Sequence, residues 1–389
     1  MADLIGNPAA NRGPAASVFA LSFHADYRCR HSGVCCSSDW DVPVEVPLYA
    51  SLADAIGAGR VRPVTADPAG ALLTGPDLPA DAGGMVARTV RGDCVFYHRP
   101  SGLCVVHRDL GESQLPATCR HFPRLAVRDR RGTFISLTHY CPTAAAALFR
   151  DDVPIEIDPA PGAFPPADYD GLVVEREAWP PLLHPHMLMD EASYSAWERH
   201  MVARSATEGA SAESVVASLE RDARLLRQHR PSDGSLTSAV AALPTGIVCV
   251  APEGSLEPSL VLYREVLRAV PGELMPAVDE GGLPEVYADL VLPSWSEWHR
   301  PLRHYLAAKA FASWTAYQGR GLLTVVRGLE AAVALVRVEA ARRCRDLERP
   351  LERDSLLEAF RQADFLLNHL AVGEELAGLW SEVEDIDPG

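Results

Sequence analysis

The sequence predicts an α+β protein: a small, irregular, cysteine-rich metal-binding domain with short strands, followed by a mainly α-helical domain. Three observations carry this. Seven of the nine cysteines crowd between Cys29 and Cys141. A run of prolines, Pro154, Pro159, Pro161, Pro165 and Pro166, then interrupts the chain. Beyond it, apolar residues recur at helical spacing almost to the end. At 389 residues there is chain enough for two cores.

These features set the expected boundaries. Residues 1–22 read as a loose arm rich in Ala, Pro and Asn. Residues 23–150 form the cysteine-rich domain, 151–170 a proline-rich linker, 171–381 the helical domain and 382–389 an acidic tail. Within the first domain, Pro47–Ile56 reads as one short helix. Gly57–Gly92, with four prolines and several glycines, reads as a long loop. Tyr97–Gly102 reads as a hairpin with Pro100-Ser101-Gly102 at its tip, flanked by Cys94 and Cys104. The apolar run Phe134–Leu137 reads as a strand before Cys141-Pro142.

In the second domain, Asp190 is placed to cap a helix with Tyr194, Trp197 and Met201 on one face. Ser211 is placed to cap another, carrying Val215, Val216, Leu219, Ala223 and Leu226. Gly246–Ala251, apolar and β-branched, reads as a short buried strand with Cys249 in the core. Ser259–Val270 reads as a helix stopped by Pro271-Gly272. Pro301 suits the first turn of a helix bearing Leu302, Tyr305, Leu306, Ala310 and Trp314. A glycine-rich break at 318–321 precedes a long helix from Leu322, with Val325, Val326, Leu329, Val333, Val336 and Ala340 inward. Ser355 and Glu358 have capping-box spacing for the last helix.

Charge and composition bound the function. A net charge of −16 argues against general nucleic-acid binding, which neutralises phosphates. The longest apolar run, Ala239–Ala251, is broken by Pro244 and Gly246 and is shorter than the ~20 residues a membrane span takes. No signal-peptide pattern opens the chain. The expectation is a cytoplasmic protein with no membrane and no nucleic-acid partner. Among the 36 basic residues Lys309 is the only lysine, as a GC-rich coding sequence produces.

In a reducing compartment, clustered cysteines read as metal ligands rather than disulfides. Thiolates are soft donors that select zinc, copper(I) and iron–sulfur clusters. The candidate ligands are Cys29, Cys35, Cys36, Cys94, Cys104, Cys119 and Cys141, and the candidate cofactor is an iron–sulfur cluster or zinc. Adjacent Cys35 and Cys36 on an extended backbone would point apart, so only one would face a given metal. His31, His98, His107, His121 and His139 lie in the same region, with His31 inside the Cys29–Cys35 loop. Cys344 reads as a core thiol. His299, Arg300, Arg303 and His304, with Arg320, read as a solvated basic face, or else as an anion site. Asp39 and Asp41 flank a half-buried Trp40.

These motifs resemble the YkgJ-type cysteine-cluster family, a zinc- or iron-chelating domain whose best-known member is the bacterial flagellin lysine N-methylase. The resemblance spans residues ~25–150. It rests on Tyr27-Arg-Cys29, Gly33-Val-Cys35-Cys36, Asp39-Trp40-Asp41, Gly92-Asp-Cys94-Val-Phe96, Gly102-Leu-Cys104-Val-Val-His107-Arg108, Thr118-Cys119-Arg-His-Phe122-Pro123-Arg124 and Cys141-Pro142. The family carries one more cysteine between the first and the adjacent pair; here Arg30–Val34 stand, with His31 or Ser32 the available substitutes. The resemblance implies methyl transfer from S-adenosylmethionine to lysine amines of a protein substrate, flagellin or a similar protein. No glycine-rich turn of a Rossmann-type methyltransferase is present, and no catalytic base stands out in the sequence. The alternatives are a structural zinc- or iron-binding interaction module and a metal-handling protein.

Overall fold

The computed structural model describes residues 17–381 apart from 39, 65–66, 77, 168, 170 and 175–180. The arm up to residue 16, Asp39 and the acidic tail lie outside the described residues. The fold is α+β, with small sheets and a helical majority. Two compact units are present. One is Arg28–Arg124; the other takes the described residues up to Tyr27 together with those from Leu125 onward.

The expected boundary at residue 150 therefore moves back to 124. The reason is a five-stranded sheet built from distant segments. Its order is Gly171–Val173, Arg124–Asp129, Gly132–Leu137, Val18–Leu21, Ile157–Pro159. Val18–Leu21 runs parallel to Gly132–Leu137, pairing Phe19 with Phe134, whose rings stack at 5.1 Å. On its other side it runs antiparallel to Ile157–Pro159. The stretch expected as a linker thus supplies an edge strand, a place where proline is tolerated because no inward N–H is lost. Gly132 belongs here for want of room: a Cβ on it would lie 2.6 Å from the Ser17 carbonyl oxygen.

The helical layer buries the large residues that the periodicity marked. Asp190 accepts the Ser193 N–H and caps Glu191–Ser205; Ser211 accepts the Ser214 N–H and caps Ala212–Arg227. Leu322–Leu347 is buried along most of its length and packs against Arg353–Phe365, Glu257–Arg268 and Ala212–Arg227. Trp197, Trp295, Tyr194 and Tyr305 are fully buried. No helix among the described residues is long and apolar enough to cross a membrane.

Four local expectations are corrected. Gly246–Ala251 is not a strand: the N–H groups of Val248 and Val250 bond the hydroxyls of Ser218 and Ser214, and Cys249 is exposed. The helix at Pro301 ends at Ala310, because Ala312 turns to φ 53°; Trp314 lies beyond it, 44% exposed. Ser355 lies inside Arg353–Phe365 rather than at its cap, which is Glu352. Gly57–Gly92 is not wholly irregular, since Leu72–Leu73 and Ala82–Val86 pair with each other and Ala82–Val86 pairs with Pro43–Glu45.

The basic cluster is not one solvated face, although Arg320 is exposed. Arg303 and His304 are buried, and Arg300, Arg303 and His304 all donate to backbone carbonyls, of Arg150 and Val153, Ser205 and Thr207, and Leu148 respectively. Burial holds His304 and His369 at about 4 and His24 well below its ordinary value. Each is neutral when folded, so the unfolded chain takes up protons first as pH falls through about 6.5. Stability is therefore level above that pH and is lost between about 6.5 and 4, by up to about 1.4 kcal/mol per pH unit per histidine. Urea midpoints of the helical unit should fall between pH 7.5 and 5.5; equal midpoints would show that these rings are not buried neutral.

Candidate metal centre

The cysteine-rich unit has a small core: Val42, Val44, Leu52, Ile56, Val95, Val105, Val106, one phenylalanine, Phe96, and a few further small aliphatics. Cys94, Cys104 and Cys119 pack on the edge of that core. Its helix, Val46–Gly57, runs close to the expected Pro47–Ile56. The hairpin forms as the sequence suggests. Tyr97–His98 pairs with Leu103–Cys104, setting Tyr97 opposite Cys104, and Gly102 turns the chain at φ 67°. That positive φ is where glycine is at home.

The Cys35-Cys36 pair departs from expectation. Val34–Cys36 is a single 3-10 turn rather than an extended strand. Gly33 enters it at φ 75°, beneath the Tyr97 ring, which leaves no space for a side chain. The turn sets the two sulfurs side by side, 3.8 Å apart. The Cys36 carbonyl accepts the Cys94 N–H at 2.8 Å, and the Cys35 carbonyl accepts the Trp40 indole N–H at 3.1 Å. Asp41, itself exposed, lies 3.9 Å from the largely covered Arg88. Cys35, Cys36, Trp40 and Cys94 border a cavity of about 10 Å3, the size of one water or small ion.

Five thiols share this neighbourhood. The Cys35 and Cys36 thiols share a hydrogen bond, which lowers the Cys35 pKa and raises that of Cys36. Burial pushes Cys94 up to about 12 and raises Cys104 and Cys119. The charges of neighbouring thiols add to that: Cys104 and Cys35 act on Cys94, and Cys94, Cys35 and Cys104 act on Cys119. Backbone N–H groups pull the other way, from Phe96 onto Cys94 and from His107 and Val106 onto Cys104. Such donors favour a thiolate. None of the nine cysteines is in a disulfide. Among the described residues, however, no three His, Cys, Asp or Glu side chains are gathered tightly enough to hold a metal ion.

The other candidates are placed differently. Cys29 is exposed, and its sulfur accepts the His31 N–H at 3.4 Å. His31 sits at φ 55°, unusual for a residue with a side chain, with its ring 6.0 Å from that of His107. His98 bonds Ser101 at 2.7 Å, and the His121 ring accepts from Arg120 at 3.3 Å. Cys141 belongs to the helical unit, is buried and contacts the Tyr27 hydroxyl at 3.6 Å. His139, in the same unit, is buried against Asp364. Cys344 is a core thiol, as its helical setting suggests. Sequence reasoning missed Tyr97 as the lid over Gly33; the glycine directly before Val34-Cys35-Cys36 was the signal.

No family model, curated protein or solved structure matches the chain.

A thiol reacts as its thiolate, so exposure and pKa together set its rate. Brief iodoacetamide treatment of the native, metal-stripped protein should label Cys249 before Cys94, Cys119 or Cys344. Peptide mass spectrometry that finds Cys119 labelled first would contradict the burial described here.

Proposed function

We propose that the Arg28–Arg124 unit is a metal-binding cysteine-cluster module, with Cys35, Cys36, Cys94, Cys104 and Cys119 as its thiolate donors. The observation that carries this is the 3.8 Å between the Cys35 and Cys36 sulfurs. Two thiolates each ~2.3 Å from one tetrahedral ion stand about that far apart. The donors are soft, unpaired with one another by disulfides, and set on a core too small to be generous with hydrophobic stabilisation. A bound cation would also reverse the pKa logic, turning thiols that burial keeps protonated into thiolates. The remaining donors would close around the ion as it binds, which couples metal uptake to the ordering of the unit. Zinc and an iron–sulfur cluster both suit such a donor set.

The YkgJ-type resemblance extends the proposal to an enzyme: a protein-lysine N-methyltransferase using S-adenosylmethionine, acting on flagellin or a similar protein. A lysine amine must lose its proton before it attacks a methyl group. A structural interaction module and a metal-handling protein are the other readings of the same thiols.

Metal and sulfide analysis of anaerobically purified protein tests the module. Iron with sulfide indicates a cluster, and colourless protein with zinc indicates a structural ion. Cys36→Ser and Cys94→Ser should each lower metal content severalfold or more, while Cys344→Ser leaves it unchanged. Metal-free protein from every preparation, or equal metal in all variants, would refute the module. Methylation of the proposed substrate is read separately, as label transferred from S-adenosylmethionine to flagellin lysines.

A further inference from the structure

The helical unit contains a cavity of about 470 Å3, bordered by Asp129, Arg131, Asp190, Glu191, Tyr194 and Tyr317. Small-molecule sites commonly measure roughly 300–1,000 Å3. None of its described lining residues is a cysteine.

Arg131 sits in the two-residue turn between strands Arg124–Asp129 and Gly132–Leu137. Its guanidinium is already neutralised, lying 2.9 Å from Asp129 and 2.9 Å from Glu198. It is sandwiched between the rings of Phe134 and Tyr194, at 4.3 and 4.6 Å. The Tyr317 hydroxyl donates to Asp129 as well. Arg130 pairs with Glu191 at 3.4 Å. Among the described residues, the Asp190 carboxylate accepts from the Ser193 N–H and hydroxyl at the helix start. Among the described lining residues, three carboxylates, of Asp129, Asp190 and Glu191, stand against the two guanidinium groups of Arg130 and Arg131, leaving that part of the wall negative. Tyr194 and Tyr317 meet edge to face at 5.9 Å and give it an aromatic side. Tyr194 is 1% exposed, and its hydroxyl has no hydrogen-bond partner among the described residues. A buried hydroxyl left unpaired is costly and marks a place where a ligand atom fits.

We infer that this cavity binds a small organic cation, an ammonium or sulfonium centre carried on an apolar or aromatic body. The surplus carboxylate charge and the tyrosine faces attract the onium centre, and the Tyr194 hydroxyl bonds a polar atom of the body. The inference rests on residues of the helical unit and stands apart from the metal reading.

Isothermal titration of the full-length protein tests it with two pairs of probes. S-adenosylmethionine is compared with its neutral thioether S-adenosylhomocysteine, and N-acetyl-lysine methylamide with its norleucine analogue. At least one cationic probe should bind tenfold or more tightly than its neutral analogue. Tyr194→Phe should weaken that probe about fivefold, the factor one neutral hydrogen bond supplies. Glu191→Gln, at a side chain 48% exposed and so safe for the fold, should weaken it to a similar degree. Binding of neither cation, equal binding of the analogues, or unchanged affinity in both variants would overturn the inference. Metal content measured on the same samples reports on the cysteine module independently.

Discussion

The Asp364 carboxylate has no solvent exposure, and the interior of the helical unit is arranged to make that tolerable. It accepts the His139 backbone N–H at 2.5 Å and the His139 ring at 3.0 Å. Tyr305 donates to it at 2.7 Å, and the Lys309 ammonium lies 2.6 Å away. Burial alone would raise its pKa; Lys309 and His139 outweigh burial and hold it well below the carboxylate range. A buried charge persists only when paired and hydrogen-bonded in this way. The pairing ties the end of strand Gly132–Leu137 to helices His299–Ala310 and Arg353–Phe365. It also fixes a tautomer. With the His139 Nδ1 proton on Asp364, the His139 Nε2 accepts, and His24 Nε2, 3.3 Å away, donates. The only lysine in the chain stands at this point, its compact ammonium 2.6 Å from the carboxylate.

The cysteine-rich unit solves the opposite problem. Its aliphatic core is thin, and the groups at the rim of that core are thiols whose neighbours discourage ionisation. Left as thiols they are weakly polar packing atoms. On the metal-binding reading proposed above, thiolates around a cation would crosslink the Val34–Cys36 turn, the hairpin of Cys104 and the short helix of Cys119.

The elements legible in the sequence were those set by local chemistry. Asp190 and Ser211 cap helices because a short polar side chain reaches an N–H three residues on, whatever lies elsewhere. The inward face of Leu322–Leu347 follows from spacing alone. Two of the misreadings share one cause, which is that a distant partner overrode a local signal. Val248 and Val250 look like strand residues, yet serines of a neighbouring helix take their N–H groups. Ile157–Pro159 looks like a linker, yet the free edge of Val18–Leu21 recruits it.

For the candidate site the division is sharper. The cysteine count, their crowding and the hairpin at Pro100–Gly102 are properties of the sequence, and the choice of soft donors follows from residue type. Which thiols meet was decided by tertiary structure. A 3-10 turn beneath Tyr97 brings Cys35 and Cys36 to the same side, while the sheet built on Val18–Leu21 assigns Cys141 to the helical unit. Both outcomes depend on contacts between residues far apart in the chain, and spacing along a sequence carries no record of those contacts.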